Sequence, residues 1–442
     1  MSELMPVELL VAPRWIVPVR PRATVLEDYA VVVDHGRIIA LRPVAEARAR
    51  YLPRSSMVLP NHVMIPGLVN LHTHAAMCLM RGMADDLPLM RWLNEHIWPA
   101  ENAFMSEAFV HDGTLLACAE MLRGGTTCFS DMYFHPLAAA AAVEEVGMRA
   151  CLGLTVLDVP TSYAADADDY LNKGLLARDA LRDNPLITTC LAPHAPYTVS
   201  DRTFEKIMIY AEQLNLNIHT HLHETLDEIA GSEAQYGLRP VQRMAALGVL
   251  GPALIGAHGV HLTDGEIELL AARGCHIAHC PASNLKLSSG VARMADILNR
   301  GINVGLGTDG AASNNRLDML GEMRLAALLC KGVSGNAEAM PAWQALEMAT
   351  INSARALGLD AQIGSIETGK YADLVAIDMS GPETQPCYDV LSHLVYAASR
   401  EHVSHVWVDG KLVLEKGCLT RQRELEILER ARSWQKLLQA TH

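Results

Sequence analysis

The sequence is short of positive charge and of aromatic rings, and it has neither a CxxC pair nor a long apolar run. Lys and Arg number 36 against 50 Asp and Glu, a formal charge of −14 with the 19 His counted as neutral. A surface this acidic repels polyanions, which excludes a general role on nucleic acid or on an anionic membrane. No run approaches the roughly 18 apolar residues of a membrane span. The N-terminus, MSELMPVELLVAPRW, carries an early Glu3 and no basic region ahead of an apolar one, so it does not read as a secretory signal. The ten Cys are scattered at 78, 118, 128, 151, 190, 275, 280, 330, 387 and 418. Free thiols acting as small buried hydrophobes in a reducing cytoplasm fit this pattern better than a disulfide scaffold. With 50% hydrophobic, 5% aromatic and 19% charged residues, the composition is that of a globular protein and argues against disorder.

What is present is a change of texture along 442 residues, too many for one core of the usual 100–200 or so. Residues 1–63 read as short strands, with Asp34-His35-Gly36 as a hairpin turn inside YAVVVDHGRIIAL. The same texture returns at 367–420, where YADLVAIDMSG is a strand and Asp409-Gly410 a second hairpin turn. Neither end is long enough for a sheet with its own core, so one small β-sandwich built from both ends is expected. Between them, over 64–366, apolar strands such as TTCFSDM, ITTCLAPH, LNIHTHLH, ALIGAHGV, CHIAHC and INVGLGTD alternate with helical stretches. Repeated βα units of this length imply a parallel sheet closed as a (β/α)8 TIM-type barrel. Residues 421–442 close the chain with an amphipathic helix.

Histidines gather at the ends of these strands. In PGLVNLHTH, His72 and His74 stand two apart on a strand and leave the same face. In HTHLHET, His219, His221 and His223 do so again, and Glu224 follows three residues after His221. The ends of strands are where catalytic groups of βα barrels sit. In GLGTDGAASNN, Gly305, Gly307 and Gly310 spell GxGxxG, yet AASNNRLD is a poor start for a phosphate-binding helix. Asp309 is therefore read as the functional residue there, with helix capping as its simpler alternative. His258 and His194 also end strands; His276 reads as core, and His279 is left open. Three neutral imidazoles and one carboxylate at a barrel mouth suit Zn²⁺ or Fe²⁺ with a position open to water, which points to metal-assisted hydrolysis.

These motifs, with AHGVHL and PASNLKL between them, follow the order used by the amidohydrolase superfamily, which the chain resembles over nearly its whole length. Within it, LMRGMADDLPLMRWL (79–93) and WPAEN (98–102) resemble the 5′-methylthioadenosine/S-adenosylhomocysteine deaminases, with guanine deaminases and triazine hydrolases as the alternative. The resemblance implies metal ligands His72, His74, His221 and Asp309, and Glu224 as the proton shuttle. It implies that His258 helps hold the hydroxide and the transition state, that Glu101 binds the ribose hydroxyls and that His194 contacts the nucleoside. A homodimer is the family's habit. Binuclear members bridge their metals with a carboxylated lysine on a middle strand. Here only Lys173 and Lys206 lie between His74 and His221, both outside expected strands, so one metal per chain is expected. Members that accept S-adenosylhomocysteine are expected to hold its carboxylate with arginine from the loop after CLGLTV. No Arg occurs between Arg149 and Arg178, and Asp158, Asp166, Asp168 and Asp169 make that region acidic. An unpaired buried carboxylate is costly, so 5′-methylthioadenosine is favoured over S-adenosylhomocysteine, the alternative being an arginine from elsewhere or from a neighbouring subunit; adenosine is expected as a lesser substrate. Segments 83–100 and 158–172 are the candidate lids.

Overall fold

Five strands open the chain: β1 (Met5–Ile16), β2 (Leu26–Glu27), β3 (Tyr29–Asp34), β4 (Arg37–Pro43) and β5 (Tyr51–Pro66). The β3–β4 turn takes His35 and Gly36 through φ of 49° and 72°. Two consecutive left-handed residues give the turn whose twist matches that of the flanking strands, as the Asp-His-Gly sequence predicts. The computed structural model describes residues 4–439.

The barrel follows as eight parallel strands: β6 (Leu68–Thr73), β7 (Thr126–Asp131), β8 (Arg149–Val156), β9 (Ile187–Pro193), β10 (Ile218–Leu222), β11 (Leu254–His258), β12 (His276–His279) and β13 (Asn303–Leu306). They pair in strict chain order from β6 to β13. The seam between the first and last strands is closed by polar stitches rather than by a ladder. Asn70 Nδ2 donates to Thr308 Oγ1 at 2.7 Å, and Asn70 Oδ1 accepts from Thr308 N at 3.0 Å. Beyond them, Asp309 N donates to the His72 carbonyl at 2.9 Å. Gly307 makes this approach feasible, since a Cβ there would lie 2.8 Å from His72 Cβ and 2.9 Å from its backbone nitrogen. The glycines of GLGTDG thus serve a close passage of two strands. They lead into a helix of only four residues, Ala311–Asn314, with no extended phosphate-binding helix.

β14 (Leu374–Asp378), β15 (Val403–Val408), β16 (Lys411–Glu415) and β17 (Cys418–Leu419) return to the first five strands. The expected assembly from both chain ends takes the form of one continuous nine-stranded mixed sheet, in which β5 pairs with β1 on one side and β14 on the other. Alternation along the strands gives it two apolar faces. Leu9, Val11, Val31 and Val33 pack with Met64, Leu374 and Trp407, whereas Val7, Leu10, Ala30 and Val32 pack with Ala47 and Tyr51. The two hairpin turns meet, with Gly36 O accepting from Ala372 N at 2.9 Å and Gly410 N donating to Ala372 O at 3.1 Å. The sheet joins the barrel base through a buried pair. Arg149, at the start of β8, donates to Asp373 through Nε at 2.7 Å and Nη2 at 3.2 Å. The terminal helix occupies Glu424–Gln439. Eight of the ten cysteines are buried and all are free, and among the described residues no helix is long and apolar enough to cross a membrane.

Candidate metal centre and active-site cavity

Four donor atoms converge at the C-terminal end of the barrel. His72 lies within β6 and His74 immediately after it, His221 on β10, and Asp309 three residues past β13. One donor atom from each lies within 4.8 Å of all the others. Asp309 Oδ1 is 3.4 Å from His72 Nε2 and 3.2 Å from His74 Nε2, and the Nε2 atoms of His74 and His221 are 3.3 Å apart. Ligands held tetrahedrally at Zn–N distances of about 2.0–2.1 Å are separated by about 3.4 Å, so these spacings are those of a ligand shell. The opposite ring nitrogen of each histidine is occupied. His74 Nδ1 contacts Met132 O at 2.6 Å, His221 Nδ1 contacts His194 O at 2.6 Å, and His72 Nδ1 contacts His219 Nε2 at 3.0 Å. Such partners fix ring orientation and leave Nε2 as the donor in each case. His72 Nε2 is buried with no hydrogen-bond partner, which is the vacancy in bonding that a cation satisfies. The residues therefore fit a divalent metal.

Asp309 is fixed by further contacts, among them one from Thr308 Oγ1 to its carbonyl at 2.9 Å. Its Oδ2 accepts from Ser283 Oγ at 2.6 Å and Ser313 Oγ at 2.7 Å, and its Oδ1 accepts from Gly310 N at 2.8 Å; its carbonyl accepts from Thr73 Oγ1 at 3.1 Å. Burial opposes its ionisation, but His72 and His74 hold its carboxyl well below the usual range. Burial pushes His72 down to about 4 and holds His221 well below the usual imidazole range, so both are neutral donors. Burial also opposes charge on His74, but Asp309 outweighs it and holds that imidazole up to about 9. A metal ion displaces a proton of this kind on binding.

Glu224 and His258 flank the four donors. Glu224 Oε1 accepts from Ser289 Oγ at 3.1 Å, and its Oε2 is 3.8 Å from His258 Nε2. Burial raises the Glu224 carboxyl above its ordinary value, the direction a proton donor needs. His258 Nδ1 is held by Asn284 Oδ1 at 2.8 Å, while Nε2 is buried without a partner.

Three of the donors, His74, His221 and Asp309, line a cavity of about 700 Å³ that Glu101, His194, Glu224 and His258 also line. Its apolar wall comes from Leu89, Trp92, Leu93, Ile97 and Trp98 and from Leu157, Val159 and Pro160, with Asp158 and Thr161 among the latter, so both segments expected as lids border it. Glu101 is half-buried and accepts from the Tyr133 hydroxyl at 2.8 Å. Burial pushes it up to about 7, against that hydrogen bond and the nearby His74. His194 Nδ1 contacts Thr198 Oγ1 at 3.0 Å, and burial together with the neighbouring imidazoles pushes its ring down to about 3. Lys173 and Lys206 lie on the helices Ala167–Leu181 and Asp201–Leu214, paired with Asp169 and Asp168. Among the described residues the cavity lining includes no lysine or arginine.

The amidohydrolase family model matches residues 63–413. The chain belongs to the amidohydrolase family. It is similar to a 5-methylthioadenosine/S-adenosylhomocysteine deaminase of Saccharophagus degradans, at 48% identity over 100% of this chain and 99% of the relative. The crystal structure of an adenosine deaminase from Xanthomonas campestris with bound zinc superposes with a TM-score of 0.98 at 47% identity, covering 99% of this chain and 100% of that one. A triazine hydrolase variant superposes with a TM-score of 0.89 over 96% of this chain and 99% of that one, but at 23% identity, which carries the fold alone.

Within this amidohydrolase, the three histidines of HTHLHET do not share one face. The strand ends at Leu222, and His223 adopts a left-handed φ of 54°, turning its ring away from the metal centre. There His223 Nε2 accepts from Val241 N at 3.1 Å and Nδ1 meets His261 O at 3.2 Å. His219 does share the face of His221, and supports His72 while its own Nδ1 contacts Ser130 Oγ at 3.2 Å. His276 is a core residue hydrogen-bonded to Asn303 at 3.0 Å, and His279 is buried, its ring pushed down to about 3 by burial. Sequence reasoning missed Ser283, Ser289, Ser313, Asn284 and Tyr133. Nothing local marks them; PASN and SSG gain meaning only once their loop lies beside Asp309 and Glu224.

Proposed function

We propose that the chain deaminates 5′-methylthioadenosine hydrolytically, giving 5′-methylthioinosine and ammonia, with one Zn²⁺ held by His72, His74, His221 and Asp309. The observation that carries this reading is the four donors converging within 4.8 Å of one another, beside the buried Glu224, in a cavity lined by no cationic side chain. The names and full-length identity of the two similar deaminases support the same chemistry.

Bound zinc supplies Lewis acidity that lowers the pKa of water toward neutrality. Asp309 accepts one proton of the attacking water as the water oxygen bonds to C6 of the adenine ring. Glu224, protonated at the start, gives its proton to N1, which makes C6 electrophilic. As the C6–N6 bond then breaks, the proton on Asp309 passes to ammonia and the C6 hydroxyl returns its proton to Glu224, which leaves the 6-oxo product and restores both carboxyl groups. Proton transfers of this kind contribute roughly 10²–10⁴-fold. His258 offers its unpartnered Nε2 toward the transition state. Glu101 accepts from the ribose hydroxyls, and His194 contacts the nucleoside.

The 5′ substituent is read by exclusion. A methylthio group meets the apolar wall, whereas the carboxylate of S-adenosylhomocysteine meets Glu101 and Asp158 and no cation. Unpaired burial of a charge costs several kcal/mol, so a preference of at least about 100-fold is expected. The free thiols fit a reducing compartment such as the cytoplasm.

Ammonia release by zinc-loaded protein from 5′-methylthioadenosine, S-adenosylhomocysteine, adenosine, guanine and a chlorotriazine tests the proposal. The expected order begins with 5′-methylthioadenosine. Equal kcat/KM for the first two substrates overturns the exclusion argument, and activity confined to guanine or the triazine overturns the role of Glu101.

A further inference from the structure

Glu228 is a buried carboxylate that the proposed chemistry does not use. It sits in the first turn of the helix Leu226–Tyr236 and is 6% exposed. Among the described residues no lysine or arginine pairs with it. Its two oxygens are instead spent on the backbone of the motif that carries the proton shuttle. Oε1 accepts from His223 N at 3.0 Å, and Oε2 accepts from Glu224 N at 2.8 Å. Two successive N–H groups can converge in this way because His223 is left-handed, which makes the turn a small anion-binding concavity.

A left-handed residue other than glycine persists only where its surroundings over-determine it. Here they do. The His223 carbonyl accepts from Val260 N at 2.9 Å and His261 N at 3.1 Å. Its Nε2 accepts from the Val241 N–H, which leaves Nδ1 to carry the ring proton toward the His261 carbonyl. Glu228 closes the remaining side of the turn, and its own backbone nitrogen is anchored on Thr225 Oγ1 at 3.2 Å. Freed from Glu228, the Glu224 backbone has no other acceptor holding it in this direction.

We infer that Glu228 is a positioning residue: by gripping the backbone nitrogens of His223 and Glu224 it aims the Glu224 carboxyl between Ser289 and His258. This rests on the proton-transfer role proposed for Glu224. A displacement of about 1 Å at a reacting group costs about 10²-fold in rate, and that is the scale of effect at stake.

The test is a double-mutant cycle on zinc-loaded enzyme with 5′-methylthioadenosine. Glu228→Gln keeps the shape but turns an amide N–H toward one of the two backbone donors. Alone it is expected to lower kcat about 10²-fold, with KM and zinc content unchanged. In a Glu224→Gln background it is expected to cost nothing further. The same loss in both backgrounds, a rise in KM or a loss of zinc overturns the inference. Full turnover by Glu224→Gln alone overturns the role of Glu224 itself, and the inference with it. Should Glu228→Gln fold poorly, Glu228→Asp keeps the charge one methylene short of both nitrogens and carries the same expectations.

Discussion

The two ends of the barrel are built on opposite terms. At the base, buried charge is paired in full: Arg149 forks onto Asp373, its Nη1 donates to Pro185 O at 3.0 Å, and Asp373 also accepts from Asp409 N at 2.8 Å. At the mouth, conformational strain and unpaired atoms gather instead. His223, His258 and Asp309 have φ of 54°, 76° and 62°, and the Nε2 atoms of His72 and His258 are buried without partners. The base stabilises the fold, and the mouth gives up stability to hold donors in reactive positions.

Substitutions on either side break or sharpen that contrast. The largest effect is expected from Asp309→Asn, which removes the proposed metal donor and proton acceptor together. Loss of at least about 10⁴-fold in kcat/KM is expected, with zinc lost and no fall in the unfolding midpoint of the metal-free protein. An Asp309→Asn enzyme that keeps its zinc and most of its rate removes the centre from the mechanism. Arg149→Ala is the converse. Stranding Asp373 costs about 3–5 kcal/mol in urea unfolding, while kcat and KM stay near those of the parent; a selective loss of kcat would erase the division between base and mouth.

Smaller effects probe the supports of the mouth. His219→Ala removes the partner of His72 Nδ1, and zinc affinity measured against a chelator is expected to fall 10–100-fold or so. Unchanged affinity would make His219 packing only. Tyr133→Phe is the mildest. Burial already places Glu101 at about 7, and the Tyr133 hydroxyl pulls it down. As pH falls through 7 the carboxyl gains a proton and, in its proposed role, binds ribose hydroxyls less well, so KM for the nucleoside is expected to rise on the acid side. Removing the hydroxyl should move that rise to higher pH, with less than about a tenfold change in KM at pH 7. A shift to lower pH would contradict the arrangement.

Much of this was legible beforehand because it is local. Spacing of two along a strand put His72 and His74 on one face, and positive-φ turn residues announced both hairpins. The alternation of apolar strands and helices announced the barrel. The terms that failed were set by where elements stop: HTHLHET reads as three equivalent histidines until the strand ends at Leu222 and the chain reverses at His223.

The sequence by itself determined the periodicities, the donor types and the order in which they occur, because these follow from backbone geometry and side-chain chemistry within a few residues. Only the tertiary structure decided which donors meet. Asp309 reaches His72 because the barrel closes through Asn70 and Thr308, residues 238 apart in the chain. Glu224 finds Ser289 across 65 residues, and Glu101 finds Tyr133 across 32. Each such contact depends on loops brought together by closure of the whole sheet, and no local pattern in the chain encodes that distance.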